Sequence, residues 1–311
     1  MSIAKPTTYE QAMPPLAIGI ALFAFFCFSV LDASAKWLVT GGQAVLFVVW
    51  VRFAIQAVVL FTVYRGWSNR RLWSMQRPAL QILRGLLLPS MTAFNFLALQ
   101  YLQLAETVSV LLASPIVVAA LAGPMLGEWA GPRRWAAILV GFVGVLIVLR
   151  PGTAVFDWPS VYILTAMVAY SVYLILTRKL AAVETPESLI FYSCLFGVVA
   201  FAPFAVDQAM MPARPSDWIA FVLAGFAGMI GHMALIRASA LADASKITPF
   251  IYSQMVWMTL IGFLLFADIP DGWTITGMLV VVASGLYLMA RERELARRGR
   301  LAARPASEKV S

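Results

Sequence analysis

Between Glu106 and Glu128 the chain runs for 21 residues without a charge. At ~1.5 Å per residue, a helix of that length crosses the ~30 Å hydrocarbon core of a bilayer. The pattern recurs. Ten apolar segments can be marked out, at 16–36, 44–64, 80–100, 107–126, 135–149, 160–179, 188–206, 217–237, 246–266 and 273–290. In lipid every backbone polar group needs a partner inside the protein, so runs of this length are read as helices. A barrel would instead show alternating segments of about ten residues. The spacing therefore predicts an all-α polytopic membrane protein with ten transmembrane helices.

Composition agrees, with 61% apolar and only 12% charged residues, against roughly 25% charged in a soluble domain. The net charge of +8 raises the question of nucleic acid, but the placement of the charges argues against it. Eighteen of the 23 basic residues fall in the termini and alternate loops of one face, seven of them from Arg291 on, and three fall in the other loops. That bias puts both termini in the cytoplasm. Eight of the ten tryptophans sit at segment ends or in adjoining loops, where interfacial belts form. Cys27 and Cys194 lie inside apolar runs and are read as small buried side chains rather than a disulfide. Ala33-Ser34-Ala35 resembles a signal-peptide cleavage site. The leader is weakly basic and the apolar run continues to Trp37, so 16–36 is read as the first span.

The segments fall into two sets of five. Phe28-Ser29 and Lys36 match Tyr170-Ser171 and Arg178 at a spacing of 142, and Leu104-Ala105-Glu106 matches Leu241-Ala242-Asp243 at 137. Glu128 and Asp268 are 140 apart, and Trp135 and Trp273 are 138 apart. The expected divisions are a cytoplasmic N-terminus at 1–15, a first repeat at 16–149, a linker at 150–159, a second repeat at 160–290 and a basic tail at 291–311. Five is odd, so the second repeat enters the membrane inverted. Inverted repeats built around a midplane site are a transporter architecture, and proline-interrupted segments in matching places point to that site. Pro115 in span four and Pro249 in span nine fill those places as kink or gating positions, with simple helix kinks as the alternative.

At this point the chain resembles the drug/metabolite transporter superfamily, of the type with two EamA domains. The resemblance rests on Trp50-Val51-Arg52-Phe53, on Ala105 to Pro115, on Leu126-Gly127-Glu128, on the span holding Gly141 and Gly144, and on Arg150-Pro151-Gly152. The second half repeats the pattern more loosely, with Ala267-Asp268 where the family usually has Gly-Glu. Within the superfamily the chain looks most like the bacterial aromatic amino acid exporters. The resemblance implies carriage of amino acids of broad specificity, aromatic and apolar ones included, by alternating access in the export direction. Riboflavin, S-adenosylmethionine or a drug is the alternative cargo. An intramembrane enzyme is a remote third class, since neither HExxH nor GxSxG occurs. No cofactor, metal or nucleic acid is expected, and the partners are a small-molecule substrate and the lipid bilayer.

Several polar and aromatic residues within spans are candidates for lining a cavity. Phe25, Ser29, Asp32 and Lys36 share one face of span one. Asp32 reads either as a lining acid or as an i, i+4 partner of Lys36. Arg52 in span two reads as a structural partner for Asp32, with a substrate contact as the other reading, and Arg84 as a snorkelling arginine. His232, the single histidine, follows Gly225, Gly228 and Gly231. It is expected to be hydrogen-bonded to a neighbouring helix, with proton relay as the other reading. Asn95, Ser114, Tyr170, Tyr173, Tyr252 and Trp257 would complete an aromatic wall with a few polar hooks. Gly123 and Gly127 suggest a close helix crossing within a monomer, or alternatively a dimer contact.

Overall fold

The computed structural model describes residues 14–302, except 128, 130, 152–157 and 243. Glu128, Asp243 and Gly152, each used above to define the repeat or the resemblance, lie outside the described residues. Regular structure among the described residues is entirely helical. In the first half lie α1 (Pro15–Thr40), α2 (Val45–Val63), α3 (Pro78–Leu99), α4 (Leu104–Leu111), α5 (Ser114–Leu126) and α6 (Pro132–Leu149). The second half holds α7 (Trp158–Leu180), α8 (Pro186–Asp207), α9 (Pro215–Leu241), α10 (Ala244–Ile247), a 3₁₀ turn at Thr248–Tyr252, α11 (Ser253–Phe266) and α12 (Gly272–Ala302). Ten segments among the described residues are long and apolar enough to span a membrane. Helices α4 and α5 together form the fourth, and the 3₁₀ turn with α11 forms the ninth.

Proline sets many of the starts. Pro15, Pro78, Pro132, Pro186 and Pro215 each stand at the head of a helix. The missing N–H costs nothing there, because the first-turn donors have no intrahelical partner. The Thr185 hydroxyl accepts from the Ser188 N–H at 3.2 Å and caps α8. Asp271 caps α12 by accepting from the Thr274 N–H at 2.8 Å, and it pairs with Arg150 at 2.6 Å. That hydrogen bond and the guanidinium hold the Asp271 carboxyl below the usual carboxylate range. Helix α12 continues without a break to Ala302. The basic stretch from Arg291 to Arg300 is thus helical.

The helices pack with a pseudo-two-fold relation between halves. Span one (α1) packs on span eight (α9), and its mate, span six (α7), packs on span three (α3). Likewise α1 meets α11 as α7 meets α5, and α2 meets α9 as α8 meets α3. Helices α2 and α8, α4 and α11, and α6 and α12 pair with their own counterparts. With five crossings per half, this arrangement sets the halves antiparallel across the lipid, and ten crossings return both ends of the chain to one face. Leu139, Phe142, Val143 and Leu279 are exposed on the outside of the bundle, as a lipid-facing surface requires.

Small residues decide the closest approaches. A Cβ on Gly277 would lie 2.7 Å from the Gly144 carbonyl oxygen, and one on Gly144 would lie 3.0 Å from the Val281 backbone nitrogen. Helices α6 and α12 therefore touch backbone to backbone. Gly225, Gly228 and Gly231 of α9 receive Ile55, Gln56 with Leu31, and Phe28, respectively, which is the small face expected from their spacing. Gly123 and Gly127 make no such crossing. Gly123 lies under the Trp129 ring, and Gly127 ends α5 in the left-handed conformation at φ 76°.

Candidate functional site

The two broken spans line the same cavity. In the fourth, Pro115 sits in the first turn of α5, where its missing N–H and the turn at Leu112–Ala113 separate α5 from α4. In the ninth, Pro249 lies within the 3₁₀ turn ahead of α11. The breaks are not in identical registers, since α4 and α10 begin 140 residues apart and the prolines are 134 apart. Leu111 and Leu112 from one break, and Ile251 and Gln254 from beside the other, face a common cavity of about 120 Å³. Irregular backbone at membrane depth is tolerated where it lines a cavity or is buried in protein.

Four of the expected site residues line this cavity: Asp32, Asn95, Tyr170 and His232. The Asn95 amide donates to Asp32 Oδ1 at 3.1 Å. Tyr170 stacks on Tyr173 with ring centroids 6.0 Å apart and planes at 14°. His232 meets Phe28 edge-on at 5.0 Å and has no hydrogen bond among the described residues, contrary to the interhelical bond expected for it.

Tyr173 stands behind Tyr170 rather than in the wall, and its hydroxyl accepts from Arg84 at 2.9 Å. Ser29 is fully buried and donates to the Phe25 carbonyl at 3.0 Å. Ser114 is buried at the α4–α5 break, where its carbonyl accepts from Ser171 at 3.3 Å. Tyr252 and Trp257 are not brought to the cavity. Trp257 packs edge-on against Phe26 at 5.4 Å. Tyr252 borders a separate apolar groove of about 720 Å³ between α11 and α12, whose Val256, Leu260, Phe263 and Leu279 are exposed. Ile251 lines the cavity while its neighbour Tyr252 borders the groove, so adjacent residues of the 3₁₀ turn face different spaces. The Tyr252 hydroxyl is buried without a partner. Tyr252→Phe is therefore expected to leave transport unchanged and to keep or raise the melting temperature of the purified protein, since an unpaired buried hydroxyl costs about 1–3 kcal/mol. A lower melting temperature or slower transport would show that the hydroxyl has a partner during the cycle.

The ionisable groups are arranged otherwise than their spacing suggests. Lys36 does not pair with Asp32. Its ammonium reaches Asp268 at 2.6 Å and the Leu102 carbonyl at 3.1 Å, tying α1 to the end of α11 and to the loop after α3. Lys36 lies one turn from Asp32 on the same helix face, so this tie stands one turn of α1 beyond the acid that lines the cavity. Arg84 does not snorkel. It is 1% exposed and donates to Thr177 at 2.8 Å, the Leu189 carbonyl at 2.7 Å, Ser193 at 3.1 Å and Tyr173, which binds α3 to α7 and α8. Arg52 lines the cavity without an ion pair to Asp32. Phe28, Thr92, Phe96 and Gln254 complete the lining and were not picked out from sequence. Gln254 carried a usable signal, as a polar residue within a span, one turn after a proline.

A cavity between inverted five-helix halves, walled by two interrupted spans, defines the molecule as a membrane carrier of the inverted-repeat class. Comparison with known proteins gives the family. Residues 15–150 and 157–290 each match the EamA-like transporter family, and the chain belongs to that family. It is 28% identical to the S-adenosylmethionine uptake transporter of Rickettsia prowazekii (strain Madrid E), over 86% of this chain and 90% of the relative. It is 26% identical to the riboflavin transporter of Vibrio cholerae serotype O1 (strain ATCC 39315 / El Tor Inaba N16961), over 96% of this chain and 99% of the relative. A solved crystal structure superposes with a TM-score of 0.62 at 19% identity, over 90% of this chain and 98% of that one. At that identity the likeness establishes the fold alone. The chain is thus a multi-pass transporter of a bacterial inner membrane. These relatives carry S-adenosylmethionine and riboflavin by name, and they do not single out the aromatic amino acid exporters.

Proposed function

We propose that the chain moves S-adenosylmethionine, or a metabolite closely like it, across the inner membrane by alternating access of one central cavity. The observation that carries this reading is that both interrupted spans, one from each half, line the same cavity together with Asp32 and Arg52. The charge bias of the loops supports termini in the cytoplasm. The Rickettsia relative, named for uptake, supports import in place of the export first expected. One chain supplies the whole lining of the cavity, which supports a monomeric transport unit. At about 120 Å³ the cavity is smaller than the ~300–1,000 Å³ of common small-ligand sites, so it must widen to load. Aromatic and apolar amino acids are the second reading, favoured by the Phe28, Phe96 and Tyr170 walls.

The test is reconstitution of the purified, monodisperse chain in liposomes with radiolabelled S-adenosylmethionine, phenylalanine and riboflavin. Saturable uptake of S-adenosylmethionine, inhibited by the unlabelled compound, is expected. A folded protein that moves none of the three would overturn the reading.

A further inference from the structure

The two buried arginines are solvated very differently by the protein. Arg84 spends its donors on four neutral acceptors in α7 and α8. Arg52, 5% exposed, makes one hydrogen bond, from Nη1 to Thr92 Oγ1 at 2.8 Å. Its Nε is buried with no partner. The Phe53 and Phe96 rings lie 4.6 and 5.9 Å from the guanidinium carbon and offset part of the charge. A guanidinium cannot shed its proton to escape burial. A buried cation with an idle donor is costly unless an anion completes it. Asp32 is the carboxylate whose charge reaches Arg52, yet the two make no direct ion pair or hydrogen bond, so the donor face of the guanidinium stays unfilled.

The opposite chemistry waits on the same cavity. Asp32 is 7% exposed, and only its Oδ1 is hydrogen-bonded, to Asn95. Asn95 is 4% exposed, and its own Oδ1 is buried without a partner. The lining thus holds an unfilled cationic donor on α2 and unfilled acceptors on α1 and α3.

We infer that Arg52 and the Asp32–Asn95 pair form a receptor for an α-amino-carboxylate head, Arg52 taking the carboxylate and the acid and amide taking the ammonium. The aromatic body of the substrate then lies against Phe28, Tyr170 and His232. This deepens the transport reading above and rests on it. It unites the two proposed cargoes, because S-adenosylmethionine and amino acids share that head, and it excludes riboflavin, which has neither charge. Arg52 becomes a specificity-determining residue rather than a structural partner of Asp32.

The closing experiment compares ligands that differ only in the head. Binding to the purified wild-type chain is measured by thermal shift and calorimetry for S-adenosylmethionine against its decarboxylated form, and for phenylalanine against phenethylamine and phenylalanine methyl ester. A hydrogen-bonded charge contact is worth about 1.5–3 kcal/mol, so loss of the carboxylate is expected to weaken binding about 10- to 100-fold. Arg52→Lys and Arg52→Gln are expected to weaken the carboxylate-bearing ligands by the same factor while leaving the decarboxylated ones unchanged. Equal affinity of the wild type for acid, ester and amine would overturn the inference without need of a variant. So would tight binding and transport of riboflavin alone, which would leave carriage itself standing. Absence of transport for every compound would instead overturn the carrier reading.

Discussion

Lys36→Met is expected to open the cavity to the face opposite the chain termini. The ammonium of Lys36 joins α1, the loop after α3 and the end of α11 at a single atom, with Asp268 at 2.6 Å and Leu102 O at 3.1 Å. The two side chains are only 9% and 19% exposed, so water screens the pair weakly. Removing one partner of a buried pair costs about 3–5 kcal/mol, and partial exposure of Asp268 lowers that to about 1–3. Spent on a two-state equilibrium, that shifts the closed-to-open ratio about 10- to 100-fold. A cysteine at Leu112 reports the change, in a chain whose buried Cys27 and Cys194 have been replaced by alanine. Labelling by a membrane-impermeant maleimide from that face should quicken by the same factor, and net transport should fall. The exchanged pair Lys36→Asp with Asp268→Lys should restore the slow rate. Identical labelling in wild type and Lys36→Met would show that other contacts hold this face shut.

Gly277→Val should cost the most stability of any single change considered. The added carbon would meet the Gly144 carbonyl oxygen at 2.7 Å and the Val148 nitrogen at 3.0 Å. Both are backbone atoms of α6 and cannot turn aside as a flexible side chain would. Helices α6 and α12 must then separate along their shared length, and an overpacked core costs about 1–3 kcal/mol or more. Gly19→Ala is the control, because nothing lies within 4 Å of its added carbon. It should gain about 0.5–1 kcal/mol through helix propensity. If Gly277→Val melted within about 2 °C of wild type, the two helices would have to be looser than described.

The spans and their grouping by fives could be read in the sequence because both follow from one-dimensional patterns. Uncharged runs mark helices in lipid, and Pro115 and Pro249 marked the segments that break. Asp32, Asn95, Tyr170 and His232 were readable as cavity candidates for the same reason: polar or aromatic groups inside apolar runs need a place to go. Partner choice was not readable. The i, i+4 spacing of Asp32 and Lys36 fits a pair, yet Lys36 finds Asp268 from the other half, 232 positions away. Arg84 looked like an end-of-span cation and is instead folded into α7 and α8. Tyr252 and Trp257 stand outside the wall because each finds an apolar neighbourhood elsewhere, Tyr252 at the groove between α11 and α12 and Trp257 against Phe26, which their positions in the sequence do not disclose.

The halves match in their order of contacts but not in every contact. Helices α5 and α6 touch, whereas a groove of about 720 Å³ opens between their counterparts α11 and α12. Two faultless copies would leave the inward and outward postures equal in energy, with no reason to rest in either. Divergence of the copies removes that tie, so the unloaded protein has a default posture written into its own packing.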